Sequence, residues 1–138
     1  MNILKTVIVL ALLTAGTALA QTDDKSKVIL PLEAQTCNLP VAPARIPKEA
    51  DMSALGKAKD NITDFQSAMG VYRDCLSAAT KNGNMTDGNE MAVTNAHNYS
   101  IEMETRIAEQ FNVAVCAYKQ REGMELSDTC KQRLGLTE

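Results

Sequence analysis

The side chains with chemistry to offer in this sequence are four cysteines, one histidine, six methionines after Met1 and a pair of aspartates one helical turn apart. The cysteines are Cys37, Cys75, Cys116 and Cys130, with no Cys-x-x-Cys among them. A thioredoxin-like redox site, a zinc knuckle and c-type haem attachment all lack their signatures. An even number of cysteines in a short exported chain reads instead as two structural disulfides. His97 stands between Ala96 and Asn98, and position 94 is threonine, so the Glu-x-x-His of a di-iron bundle is absent. It reads as a solvated helix histidine.

Thioether sulfur suits Cu(I), but only when several methionines share one face. Met91 and Met103 lie roughly 120° apart around a helix and about 18 Å along it. Met69 and Met103 read as core filler, with Met52, Met85 and Met124 dispersed. Asp60 and Asp64 share a face, with Lys57 close enough to compete, which describes a charged solvated surface more than an acid/base pair. No phosphate-cradling glycine loop, Gly-x-Ser-x-Gly elbow or His-based nucleophile is present. The reading is non-enzymatic, with no catalytic residue, no metal ligand and no cofactor. Asn61-Ile62-Thr63, Asn84-Met85-Thr86 and Asn98-Tyr99-Ser100 match the glycosylation pattern, but two of the three fall mid-helix and the leader suits a bacterium, where they carry no meaning.

These residues must be positioned by a small chain. Of 138 residues, 1–20 read as a signal peptide: Lys5 supplies the positive start, Thr6–Leu13 the apolar run, and Ala18-Leu19-Ala20 the cleavage site before Gln21. Thr14, Gly16 and Thr17 interrupt the run before it could serve as a membrane anchor. The remainder holds one core. The formal net charge is -3, and becomes -4 when Lys5 leaves with the leader. That acidity, with no Lys/Arg cluster and only two Phe, three Tyr and no Trp, argues against nucleic acid as a partner.

Residues 21–36 read as a flexible arm around the short apolar patch Val28–Leu32. Pro40, Pro43 and Pro47 then favour an extended path, with Leu39, Val41 and Ile46 to bury. From Asp51 the spacing changes. Leu55, Ala58, Ile62, Phe65, Met69, Tyr72, Leu76 and Ala79 alternate steps of three and four, one stripe of a helix ending at Asn82-Gly83-Asn84. Asp87 with Glu90 three positions on marks the next start. Ala92, Ala96, Tyr99, Met103, Ile107, Phe111, Ala114 and Tyr118 form the second stripe, Gly123 a stop, and Ser127-Asp128 a cap for one further turn. The fold class is all-α: an antiparallel two-helix hairpin with an extended Pro-rich N-terminal arm, stapled by disulfides within a domain of residues 37–138.

The Cys-then-Pro segment, the helix ending Tyr72-Arg73-Asp74-Cys75-Leu76, and Phe111-Asn112 followed by Tyr118-Lys119 together resemble a family of small exported proteins of Gram-negative bacteria whose function is unassigned. The similarity covers roughly residues 37–121. It implies a periplasmic helical hairpin with one cysteine in the arm and one in the first helix, positions held here by Cys37 and Cys75. Cys116 and Cys130 depart from that pattern.

Geometry decides the pairing. A turn centred near Gly83 and Asn84 sets Cys75 level with Ala92, and so ~36 Å from Cys116. That excludes Cys75–Cys116, and with it Cys37–Cys130. The arm can run back from Asp51 to Cys75, ~43 Å at polyproline rise, whereas Cys130 falls short of Cys75 by about 9 Å even fully extended. The expected bridges are Cys37–Cys75 and Cys116–Cys130.

The function expected is a small exported protein acting in the periplasm through contact with an unknown protein partner. The alternatives are a small-ligand or metal-binding module using the interhelix groove, and a secreted inhibitor or effector. A second apolar line, Val93, Ile101, Ala108 and Val115, predicts a weak homodimer.

Overall fold

A computed structural model describes residues 27–81 and 85–136. The expected leader with its cleavage site, the first part of the arm and the Asn82-Gly83-Asn84 turn lie outside the described residues. The described residues are mostly helical and contain no strand. Four helices form, two of them long: α1 (Leu32–Gln35), α2 (Met52–Lys81), α3 (Asp87–Arg121) and α4 (Asp128–Arg133).

The long helices arise where the apolar stripes predict them. Asp51 Oδ1 accepts from the Ala54 N–H at 2.7 Å and opens α2. All seven buried residues of α2 (Leu55, Ile62, Phe65, Met69, Tyr72, Leu76 and Ala79) belong to the expected stripe. Tyr72 is buried deeply enough that desolvation raises its phenol above the ordinary value.

The start of α3 differs from expectation. Thr86, not Asp87, is the cap: its hydroxyl accepts from the Asn89 N–H, and Asn89 Oδ1 accepts from the Thr86 N–H in return. Asparagine thus takes the role expected of Glu90. Gly123 stops the helix at φ +68°, with Met124 N–H bonded to Lys119 O and Gly123 N–H to Gln120 O, the paired pattern of a left-handed cap. Ser127 caps α4 by accepting from the Cys130 N–H.

Two corrections concern the core. Tyr99, expected on the second stripe, is 49% exposed, while its neighbour Ser100 is 0% exposed. Where two helices approach closely a small side chain fits and a phenol does not. Ser100 satisfies its hydroxyl by donating to His97 O, and accepts from Arg73 at 3.4 Å. Residues 27–36 also fail to behave as a free arm. Ala34 of α1 is 1% exposed and packs with Phe65, Met69, Tyr72, Leu76, Ala79 and Val93, with Leu30 and Cys37 beside them. Asn89 donates to Ile29 O at 2.8 Å, tying this stretch to the first turn of α3. Five apolar residues in a row show no period, so nothing local marks which face is buried.

Both expected bridges form. Cys37–Cys75 has a Cα separation of 5.7 Å and Cys116–Cys130 one of 5.3 Å. Disulfides persist in oxidising compartments, which points to an extracellular setting. Among the described residues no helix is long and apolar enough to cross a membrane.

Candidate functional site

Between Cys37 and Asp51 the chain forms no regular element beyond a turn at Lys48–Glu49, and each end is fastened. The Cys37–Cys75 bridge holds one end to α2. At the other, Arg121 donates to Lys48 O at 3.1 Å and Ala50 O at 2.7 Å while its guanidinium lies 5.5 Å from the centre of the Tyr118 ring. The last turn of α3 therefore clamps the chain just before α2 begins. Carbonyls that extended backbone would leave to water are taken by a charged donor, a comparatively strong hydrogen bond.

Held in this way, Arg45–Lys48 stands off from α3 and encloses an open groove of about 830 Å³. Val113, Ala114 and Ala117 of α3 form its floor, and Ile46 and Pro47 its opposite wall. A second hollow of about 210 Å³ lies under the same arm, where Ile62 of α2 faces Ile107 of α3. On the other side of the long helices a smaller apolar hollow is lined by Met52, Leu55, Phe111, Val115 and Met124.

The groove's rim is charged, and most of its charges are already engaged. Arg106 pairs with Glu102 along α3. Glu109 receives two hydrogen bonds from Arg133 of α4, at 2.7 and 3.1 Å. These bonds hold the Glu109 carboxyl below its ordinary range, helped by the positive charge and by Asn112, while partial desolvation pulls the other way. The same contact raises Arg133. Arg45 and Lys48, by contrast, are exposed and have no ion-pair partner among the described residues.

A polar contact of a different kind crosses the helix interface. Arg73 of α2 meets Glu104 of α3 at 2.6 Å, with side-chain exposures of 23% and 17%. Arg73 lies off the apolar stripe of α2. Its partner lies 31 residues away, and no local pattern announces it.

The other candidates stay apart. His97, Asp60 and Asp64 are exposed. Met69 is fully buried, Met85 and Met103 pack against the core, and Met52, Met91 and Met124 are exposed. Among the described residues no three His, Cys, Asp or Glu side chains gather into a cluster able to hold a metal ion. Of the glycosylation triplets, Asn98-Tyr99-Ser100 ends on the buried serine, and Asn84 lies outside the described residues. The groove itself is only half legible in the sequence: Leu39, Val41 and Ile46 are expected to be buried, but Val41 is 91% exposed and Leu39 43%, Ile46 alone of the three lines the groove, and nothing local says that the arm stands off from α3. No family model, curated protein or solved structure matches the chain.

Proposed function

We propose that this chain is a small exported, non-enzymatic protein that acts in the periplasm by contact with another protein. In this reading the leader is removed before Gln21, and α2 and α3 make an antiparallel hairpin closed along one side by the proline arm. The observation that carries it is the groove beside α3. An apolar floor between charged banks, on a frame fastened by a disulfide and by Arg121, is a preorganised docking surface, and preorganisation lowers the ordering cost of association. The two bridges fit an oxidising compartment.

The test is photo-crosslinking in intact cells, with the reactive residue placed either at Val113 in the groove or at Gln66, which is exposed on α2. The expected result is a discrete protein adduct from Val113 and none from Gln66. Equal labelling from both positions, or from neither, counts against the reading.

A small-ligand module is the second reading, favoured by a groove volume within the range of small-molecule sites. Native mass spectrometry of protein taken from the periplasm separates the two: a retained mass lost in a Val113→Asp variant would favour the ligand.

A further inference from the structure

Three occupants could cover the groove: residues of this chain that precede the described ones, a second copy, or a segment of another protein. Reach limits the first. With the leader removed, residues 21–28 extend at most ~28 Å from Ile29. Ile29 is fixed beside Asn89, and Glu109, at the middle of the groove, lies ~30 Å further along α3. Charge disfavours the second. A second copy's groove offers Arg45 and Lys48 no free carboxylate, because Glu102 and Glu109 are already paired with Arg106 and Arg133.

The rim states what the third must carry. Four cations border or reach it: Arg45, Lys48, Arg106 and Arg133. Two carboxylates line the groove with them, Glu102 and Glu109, and both are engaged by Arg106 and Arg133. The chain as a whole is acidic, at -3, so the positive bank beside the apolar floor is a local feature. A membrane surface is a poor fit to the same charges, because the arm stands over the floor and a flat bilayer would touch only the rim.

We infer that the groove takes a protein segment whose apolar side chains enter between Ile46 and Val113 while flanking carboxylates meet Arg45 and Lys48. This rests on the contact reading above and specifies the partner's chemistry. Rim charges of this kind are screened, so each is a modest contributor.

The test uses the purified protein with both disulfides formed and three labelled peptides of identical leucine spacing, flanked by glutamates, glutamines or lysines. Fluorescence anisotropy at low salt should rank them glutamate, glutamine, lysine, with about fivefold between the first two. The double variant Arg45→Glu/Lys48→Glu should reverse that order, and both side chains are exposed enough for the fold to tolerate it. Val113→Asp should weaken all three, with circular dichroism confirming that the helices persist. The inference fails if the lysine peptide binds as tightly as the glutamate one, or if the preference survives charge reversal. It also fails if phosphatidylglycerol vesicles bind the protein through Arg45 and Lys48 while no peptide does. The crosslink at Val113 keeps the two ideas separate: an adduct in cells without any glutamate preference overturns the acidic partner alone, and loss of both overturns the contact reading as well.

Discussion

Arg73, Glu104 and Ser100 show how much a single position of the helix interface can depend on a distant one. Glu104, with 17% of its side chain exposed, stands against the Arg73 guanidinium across the interface. Truncating Arg73 leaves Glu104 without that cation and removes a long stem from the interface. Arg73→Ala should therefore destabilise the fold by about 1–3 kcal/mol, between the values usual for exposed and for buried pairs. Urea unfolding of the oxidised protein measures it. Adding Glu104→Met to an Arg73→Met background should recover much of the loss, because neither charge then remains. If the double variant is no better than the single one, the pair does not act as a unit. Ser100 beside them is legible only in hindsight. Apolarity scoring prefers the Tyr99 ring, but the adjacent residue points ~100° away around the helix, and close approach selects the serine.

At the scale of elements, the sequence announces where helices begin and end more reliably than what holds them together. Gly123 was the expected stop, and it adopts φ +68° with open space where a Cβ would stand. Gly123→Ala should thus cost about 1–2 kcal/mol through backbone strain alone, with no steric clash to add. A thermal midpoint unchanged by this substitution would contradict the left-handed cap. The short helix α4 depends on its attachments, the Cys116–Cys130 bridge and the Glu109–Arg133 contact. The folded pKa of Glu109 is depressed, so its contribution is present above the ordinary carboxylate value of ~4.3 and is lost as pH falls through the lower folded value. Amide exchange in α4 should accelerate as pH drops below about 4, once the intrinsic pH dependence of exchange is removed. In Glu109→Gln that acceleration should be absent. Its persistence would assign the pH dependence to another group.

The whole molecule is organised by its two bridges and by the arm between them. By loop entropy Cys37–Cys75 and Cys116–Cys130 contribute roughly 4 and 3 kcal/mol. Cys37→Ser should release the proline segment to proteases while far-UV circular dichroism stays helical, since Arg121 and the α2–α3 interface remain. Loss of the helical signal together with the arm would mean that α1 and its buried Ala34 hold the core more tightly than this division allows. Of the apolar line on which a homodimer is expected, Val93 is buried in the core, Ala108 and Val115 are half-buried, and Ile101 is exposed. The amino-acid order by itself determined both long helices, the Gly123 stop of α3, the Ser127 cap of α4 and the disulfide pairing. These follow from local period, from cap chemistry and from how far a chain of given length can reach. Tertiary structure alone decided that Ser100 replaces Tyr99 at the interface, that Ala34 enters the core, that Arg73 finds Glu104, and that the arm stands off from α3 to leave a groove. Each of those depends on the distance between surfaces far apart in sequence, a quantity that no single helix or strand period encodes.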